Sequence, residues 1–250
     1  MSLNGKTAIV TAASSGIGRG IARELAKDGV NLVLHYNSAG DVMEQLVKDI
    51  GALGVKHWEI QADFNNMDDV KKLAEEAIAS AGTIDFLVNN AGVCIFTDFL
   101  DITDEEFDFT FNVNIKSMFF LVQMISKHMI EKGVKGRIVN IGSVSGILGS
   151  PTQVHYCAAK AAVQTFTKSA AIALAPYDLT VNAVLPGPIV TKHNCAFLEG
   201  EGKEAVLERT TLHRYGQPEN IAQGVKYFLS DLADWTTGSQ LIIDGGMIAK

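Results

Sequence analysis

Cysteine and histidine are scarce in this 250-residue sequence, and neither residue type falls into a metal-ligand or disulfide pattern. The three cysteines, Cys94, Cys157 and Cys195, are odd in number and lie outside any C-x-x-C spacing. This excludes a disulfide framework and indicates a reducing compartment. The six histidines form no H-E-x-x-H pair, so no zinc site is expected.

Basic clusters and long apolar runs are also missing. The net charge is −7, and no run of Lys or Arg is longer than Lys71-Lys72, which argues against nucleic-acid or acidic-membrane partners. No apolar stretch reaches the roughly 18 residues that a membrane span requires, and no signal-peptide pattern precedes the first apolar run. We therefore expect a soluble, cytoplasmic protein without nucleic-acid or membrane partners.

What the sequence does contain is a regular alternation of short apolar runs and helical patterns. Thr7–Val10 and Gly29–Tyr36 read as strands, and the segment between them has helical spacing of apolar residues. The alternation continues to a last strand at Gln240–Ile243. It predicts an α/β fold for residues 1–250: one doubly wound, Rossmann-type domain with a mainly parallel sheet and helices on both faces. The pattern weakens over 191–216, which we interpret as a substrate lid.

The turn after the first strand is rich in small residues and reads T-A-A-S-S-G-I-G from Thr11 to Gly18. Small side chains let backbone N–H groups approach a pyrophosphate at the positive end of the following helix. A plain tight turn, capped by Ser14 or Ser15, is the alternative. The position directly after a strand favours phosphate binding.

A second candidate site is the pair Tyr156 and Lys160, four residues apart in an Ala-rich helical run. Residues at i and i+4 share one helix face, so the ammonium can lie beside the phenol. A phenol titrates near pH ~10, and a neighbouring cation lowers that pKa toward the range useful for acid–base catalysis. The spacing alone is common on ordinary helices, so other motifs must support the interpretation.

Seven short motifs follow one another, each at a predicted strand end or helix start. They are the turn Thr11–Gly18, Asn89–Gly92, Asn114 within Asn112–Ile115, Ser143, Tyr156 with Lys160, Pro186–Gly187 and Asp244–Gly246. In this order they resemble the short-chain dehydrogenase/reductase family over nearly the whole chain. One departure is Ala12, which stands where the family has the first glycine of its turn. A Cβ there costs about 1–2 kcal/mol if the backbone needs a positive φ.

The resemblance implies an NAD(P)-dependent oxidoreductase. Tyr156 would act as the acid or base, Lys160 would lower its pKa and hold the nicotinamide ribose, Ser143 would stabilise charge on the substrate oxygen, and Asn114 would hold a water of a proton relay. Ordinary structural roles exist for two of them. Ser143 could cap a turn, and Asn114 could satisfy backbone groups within a helix.

The resemblance also implies which residues contact the cofactor. Asp63 would meet the adenine, Asn90 the nicotinamide ribose and Thr191 the carboxamide. No acidic residue follows the second strand, where an NAD-preferring site would carry one, so NADP(H) is favoured and NAD(H) remains possible. The full candidate set is Ser14, Ser15, Gly16, Ile17, Gly18, Tyr36, Asn37, Ser38, Asp63, Phe64, Asn90, Ala91, Gly92, Tyr156, Lys160, Pro186, Gly187, Ile189 and Thr191.

The substrate would be a small polar alcohol or carbonyl, possibly a sugar or polyol, because several polar side chains are expected around the pocket. They are Ser143, Ser145, His155, Tyr156, His193 and Asn194, with Cys94, Ile147 and Gly187 completing the rim. The chain is similar to aldose dehydrogenase members of the family and also to its 3-oxoacyl-[acyl-carrier-protein] reductases. A catalytically silent cofactor sensor is an alternative of a different class. The family is commonly tetrameric, which implies a homotetramer.

Overall fold

The computed structural model describes residues 3–14, 16–38, 40–191, 200 and 203–249. Seven strands form one sheet in the order β3-β2-β1-β4-β5-β6-β7. Every neighbouring pair is parallel, which confirms the predicted sheet. The strands are Thr7–Val10 (β1), Asn31–Tyr36 (β2), His57–Gln61 (β3), Phe86–Asn89 (β4), Arg137–Ile141 (β5), Thr180–Pro186 (β6) and Gln240–Ile243 (β7).

Helices cover both faces of this sheet. The helix after β2 was not predicted; its buried face is Met43, Leu46 and Ile50, at helical spacing. Within the predicted lid, the sequence around Glu204–Glu208 has a helix-like pattern, and the structure confirms a short helix there. The α-helices are Gly16–Lys27 (α1), Asp41–Gly51 (α2), Met67–Ala81 (α3), Asp104–Phe111 (α4), Ser117–Glu131 (α5), Val154–Leu174 (α6), Lys203–Arg209 (α7) and Pro218–Leu229 (α8).

The hydrophobic core has two layers, one on each face of the sheet. Successive strand residues point to opposite faces, so Ala8 and Val10 of β1 pack in one layer and Ile9 in the other. Residues of α1, α2 and α8 share the first layer, and residues of α3, α5 and α6 share the second. Because both faces are covered, β1 is buried throughout and reads as a continuous apolar run.

The capping-box pattern Thr103–Glu106 and the apolar periodicity after it predict one long helix from Thr103 to Lys132, and the structure interrupts that helix with a π turn. The helix start is as expected, since a capping box forms there and Glu106 N donates to Thr103 Oγ1 at 3.2 Å. Helix α4 then ends at Phe111, and a π-helical turn, Asn112–Lys116, precedes α5. Such π turns are frequent at functional sites, and this one contains Asn114.

Strand order reverses between β1 and β4, and this determines where a ligand can bind. The connection after β1 leads to β2 on one side, whereas β4 lies on the other side of β1. In open parallel sheets, ligands bind in the crevice outside the carboxyl ends of the strands at such a switch point. The turns that follow β1, β4, β5 and β6 all open on this edge.

A buried polar chain fastens α6 to the sheet beneath this edge. Asn89 Nδ2 of β4 donates to Asn140 Oδ1 of β5 at 2.9 Å, and Asn140 Nδ2 donates to Thr167 Oγ1 of α6 at 3.0 Å. Thr167 in turn donates to Val163 O at 2.8 Å. All of these side chains are buried, so breaking one link leaves an unpaired polar group, at a cost of about 1–3 kcal/mol. The chain therefore holds the orientation of α6 relative to β4 and β5.

Across the helices of the described residues, none combines the length and the apolar character needed to cross a membrane.

Candidate active site

The four predicted catalytic residues come from three elements that meet at the carboxyl edge of the sheet. Ser143 follows β5, Tyr156 and Lys160 lie in the first two turns of α6, and Asn114 lies in the π turn. Gly92 shows how closely they converge: a Cβ added there would lie 2.7 Å from Asn114 Oδ1 and 3.2 Å from Lys160 Nζ. Gly92 is therefore a close-approach glycine that leaves room for both groups.

Asn114 has the structural role considered from the sequence, and its side-chain oxygen is left unpaired among the described residues. Its Nδ2 donates to Thr110 O and to Val93 O, both at 2.9 Å, so it does satisfy backbone carbonyls. Its Oδ1 is buried and has no hydrogen-bond partner among the described residues. An unpaired buried acceptor is costly, and such groups mark places where water or a ligand binds. Asn114 Oδ1 and Lys160 Nζ both lie close to the position that a Cβ on Gly92 would occupy.

Lys160 is almost fully buried, with 4% of its surface exposed. Its Nζ donates to Ile141 O at 3.1 Å and lies 5.8 Å from the centroid of the Tyr156 ring. Burial lowers the pKa of Lys160 to about 8, because a desolvated ammonium is disfavoured. The side chain therefore still carries its charge at neutral pH.

Tyr156 differs from what the helical spacing predicted. We expected the neighbouring ammonium to lower the pKa of the phenol, but burial raises that pKa above its usual value. A hydrogen bond with Ser143 acts in the opposite direction and does not compensate. Ser143 Oγ also accepts from Ser145 N at 3.0 Å, so the turn-capping role considered for it exists alongside contact with the phenol.

The glycine turn adopts the conformation that makes Ala12 unusual. Ala12 has a φ of +50°, in the left-handed region that the Cβ disfavours, and Gly16 has the same value. Gly18 allows a different close approach, since a Cβ there would collide with Ala12 O and Asn90 Nδ2. The strain expected from the alanine substitution is therefore present in the folded chain.

The turn after β1 is bonded directly to the turn after β4. Thr11 Oγ1 accepts from Asn90 N at 2.8 Å and from Ala91 N at 2.9 Å. Asn90 Nδ2 donates back to Thr11 O at 3.0 Å and to Ala12 O at 3.4 Å. The Asn90 side chain thus supports the glycine turn, a role that the sequence motif alone did not suggest.

The remaining candidate cofactor residues line the same edge. Asn37 and Ser38 are exposed after β2, next to half-buried Tyr36. Asp63 Oδ1 accepts from Asn65 N at 2.9 Å, and Phe64 is buried. Half-buried Ser14 and Ile17 flank the start of α1, and Ser15 lies outside the described residues.

The turn after β6 closes the candidate cofactor site from the other side. Thr191 lies over the glycine turn, since a Cβ on Gly16 would be 3.0 Å from its Cγ2. Gly187 packs against Asp244, where a Cβ would meet the Asp244 Cα at 2.6 Å. Pro186 and Ile189 are buried beside it. These contacts join the Pro-Gly and Asp-Gly-Gly motifs into one unit.

The chemistry of this edge of the sheet fits a dinucleotide. It offers hydrogen-bond donors and small residues, and the end of β2 has no acidic residue. The α1 N-terminus supplies backbone N–H groups, Gly16 and Gly18 carry no side chain, and the exposed Asn37 and Ser38 can donate hydrogen bonds. No group of three or more potential metal ligands occurs within the described ranges.

The structure describes only some of the candidate substrate residues. Cys94 and Ile147 are exposed, Ser145 is half-buried, and Cys94 Sγ accepts from Gln153 Nε2 at 3.0 Å. His193 and Asn194 lie outside the described residues. The predicted lid, 191–216, is described only at Thr191, Gly200 and 203–216.

His155 departs from the open rim position that we expected. It is only 2% exposed, and neither ring nitrogen has a hydrogen-bond partner among the described residues. One and two turns further along α6, Ala159 and Val163 are fully buried, so His155 belongs to the buried face of the helix. The sequence pattern could have revealed this, because the i, i+4 and i+8 positions form an apolar series after the histidine.

Comparison with known proteins gives the family. A family model described as enoyl-(acyl carrier protein) reductase matches residues 11–248. The chain is 37% identical over 249 residues to L-rhamnose 1-dehydrogenase (NADP(+)) of Thermoplasma acidophilum, which covers 99% of this chain and 98% of that protein. It is 40% identical over 242 residues to 3-oxoacyl-[acyl-carrier-protein] reductase FabG of Staphylococcus aureus, with 97% and 98% covered.

Comparison with solved structures indicates the same family. A putative 2-deoxy-D-gluconate 3-dehydrogenase from Agrobacterium tumefaciens with bound NADP superimposes with a TM-score of 0.92 at 32% identity, covering 100% of this chain and 98% of that one. Fold, motif order and identity over nearly the full length all agree with the geometry at the sheet edge. The chain belongs to the short-chain dehydrogenase/reductase family of NAD(P)-dependent oxidoreductases.

Proposed function

We propose that the chain is a cytoplasmic, one-domain enzyme that prefers NADP(H) and transfers hydride to or from a small polar alcohol or carbonyl compound of the sugar class. The observation that carries this proposal is the convergence of Tyr156, buried Lys160 and Asn114: Lys160 Nζ lies 5.8 Å from the centroid of the Tyr156 ring, and Lys160 and Asn114 both approach Gly92. The glycine turn that would hold the cofactor is bonded to the turn leading to Gly92, beside Lys160.

In the proposed mechanism, the nicotinamide supplies the hydride acceptor or donor and the chain moves the proton. Tyr156 exchanges the proton with the substrate oxygen, and Ser143 donates a hydrogen bond to that oxygen as charge develops. Lys160 stabilises the phenolate form by its charge. Asn114 Oδ1, which is buried without a partner among the described residues, holds a water that connects Lys160 to solvent.

Removing the phenol hydroxyl should therefore stop the chemistry and leave the cofactor bound. We expect Tyr156→Phe to lower kcat by at least about 10²–10⁴-fold, the usual contribution of a general acid–base. The dissociation constant for NADPH, measured by fluorescence titration, should change little. Tyr177→Phe is a matched control, because Tyr177 is 52% exposed beyond the end of α6. Near-normal turnover of Tyr156→Phe would contradict the assignment.

The NADP preference is supported by the end of β2. Asn37 and Ser38 are exposed there, and because neither carries a negative charge, neither would repel the 2′-phosphate of NADP. The similar L-rhamnose dehydrogenase of Thermoplasma acidophilum is named as NADP(+)-dependent, and the Agrobacterium structure holds NADP.

An acidic residue at this position should reverse the preference. We expect Asn37→Asp to lower kcat/KM with NADPH at least about tenfold, since like-charge repulsion of 1.4 kcal/mol corresponds to that factor. The kcat/KM of the same variant with NADH should stay unchanged or increase. Asn37→Leu is the control of similar size; it removes the amide and adds no charge. A wild-type enzyme that clearly prefers NAD would overturn the proposed preference.

The sugar-class substrate is supported by polar groups near the proposed catalytic residues and by the balanced charges of α7, the helix of the described part of the lid. Helix α7 carries Lys203 and Arg209 but also the exposed Glu204 and Glu208, so its charges balance. An acidic carrier protein would require a net positive surface. His155 lies on the buried face of α6, and both of its ring nitrogens lack partners among the described residues, so it would contact a polyol only where the substrate site extends to that face.

A screen of aldoses, polyols, ketones and a 3-oxoacyl thioester, run in both directions, tests the substrate class. We expect the highest kcat/KM with an aldose or polyol, and a decrease of about fivefold in His155→Ala, because one lost hydrogen bond costs about 1 kcal/mol. His57→Ala, in the edge strand β3, is the control.

Each alternative has its own outcome in this screen. The thioester as the best substrate would establish a 3-oxoacyl-[acyl-carrier-protein] reductase, which the similarity to FabG supports. NADPH binding without turnover of any compound would indicate a cofactor sensor. Unchanged sugar kinetics in His155→Ala would remove His155 from the substrate site.

We also propose that the chain forms a homotetramer, as the family resemblance implies. Exposed apolar side chains support the proposal: Trp235 is 98% exposed, Leu232 81% and Ile172 78%. Such groups near β7 and the end of α6 would be covered by a second copy of the chain.

Sedimentation tests this assembly. We expect wild type to sediment near four times the 26.9 kDa chain mass. Trp235→Glu should lower the sedimenting mass to that of smaller species, because the new charge would be unpaired in an apolar interface. Leu53→Glu, which replaces an apolar side chain that is 50% exposed at the end of α2, should leave the mass unchanged. A monomeric wild type would refute the proposal.

A further inference from the structure

The glycine turn is supported from a second direction by His35, a residue that no motif of the sequence singled out. His35 lies near the end of β2 and is 2% exposed. Its Nδ1 accepts from Ala12 N at 3.1 Å, and its Nε2 contacts Ala62 O at 3.0 Å. The backbone of His35 contributes as well, because its carbonyl accepts from Ala13 N at 2.8 Å.

These two contacts determine the state of the ring. A carbonyl oxygen can only accept, so Nε2 must carry the proton, and a backbone N–H can only donate, so Nδ1 must be unprotonated. The ring is therefore neutral, with both nitrogens used. Burial agrees with this, since it lowers the pKa of His35 to about 4. Phe64 stacks on the ring at 4.1 Å between centroids and 7° between planes, which holds its orientation.

Ala12 is the residue that most needs such support. Its φ of +50° is unfavourable for an alanine, whereas a glycine would adopt it without strain. The peptide groups around Ala12 are held on both sides. His35 accepts from its N–H, and Asn90 Nδ2 donates to the carbonyls of Thr11 and Ala12.

We propose that His35 is a positioning residue that holds the Ala12 turn in its left-handed conformation and connects it to the Ala62–Phe64 segment, which faces the adenine side of the cofactor site. The inference rests on the proposed cofactor site. Because the α1 N-terminus follows this turn, a turn that relaxes would misplace the N–H groups that meet the pyrophosphate. His35 thereby compensates for the missing glycine.

Two substitutions separate the two contacts of the ring. Asparagine places Oδ1 at the same distance along the side chain as Nδ1, so His35→Asn keeps the acceptor for Ala12 N and loses the contact with Ala62. Glutamine places Nε2 at the matching position, so His35→Gln keeps the donor to Ala62 O and loses the acceptor. We expect NADPH dissociation constants within about threefold of wild type for His35→Asn and about tenfold weaker for His35→Gln, with kcat at saturating NADPH unchanged in both.

The coupling to Ala12 gives the decisive measurement. In an Ala12→Gly background, His35→Gln should weaken NADPH binding by less than about threefold, because a glycine needs no help to hold a positive φ. A residue that only stabilised the fold would lower the midpoint of urea unfolding equally in both backgrounds and show no such coupling.

The outcomes are distinct. An unchanged NADPH dissociation constant in His35→Gln, or an effect of the same size in the Ala12→Gly background, overturns the inference. If His35→Gln does not fold by itself, the double variant Ala12→Gly with His35→Gln is measured instead. The inference requires that this double variant fold and bind NADPH, and a double variant that does neither overturns the inference. Wild-type protein that binds neither NADPH nor NADH would instead refute the proposed cofactor site itself.

Discussion

The hydrogen bonds between Thr11 and Asn90 are the interaction on which the rest of the site depends. The strands β1 and β4 are neighbours at the point where strand order reverses, and the turn after each strand is bonded to the other through one threonine hydroxyl and one amide. The first turn leads to the N-terminus of α1, where we propose that the pyrophosphate binds, and the second leads to Gly92 beside Asn114 and Lys160. The same hydrogen bonds would therefore position both the proposed cofactor site and the proposed proton-transfer groups, whose reacting atoms must be placed within about 1 Å.

Unfavourable local features concentrate around this joint. Ala12 has a positive φ, Lys160 is a buried cation, and Asn114 Oδ1 has no partner among the described residues. Each costs free energy of folding, and such costs are typical of functional sites held by a rigid surrounding structure. The rigid part lies beneath them, where Asn140 connects the neighbouring strand β4 to α6.

The sequence predicted the parts of this protein that follow from apolar periodicity and from interactions between residues that are close in sequence. Strands such as Thr7–Val10 are continuous apolar runs because both faces of the sheet are covered, and the capping box at Thr103 is local. The π turn at Asn112–Lys116 was missed, since one extra residue in a helix hardly changes the apolar period. His35 was missed for a different reason: its partners Ala12 and Ala62 lie 23 and 27 residues away, and only the fold brings them together. The prediction for Tyr156 considered the charge of Lys160 but not the burial, which the structure shows to be the larger effect.

Burial acts on Tyr156 and Lys160 in opposite senses, and this has a consequence for the direction of proton transfer. It raises the pKa of the phenol and lowers that of the ammonium, so the pair is driven away from phenolate and ammonium toward neutral forms. Near pH 7 the lysine, with a pKa of about 8, keeps its proton, and the phenol keeps its own. In the proposed mechanism, this pair of protonated groups is the form that would donate a proton to a carbonyl oxygen, and the ammonium would stabilise the phenolate that results. To accept a proton from an alcohol, Tyr156 must first be a phenolate. The phenolate form is favoured by a higher pH and by any further positive charge near the hydroxyl.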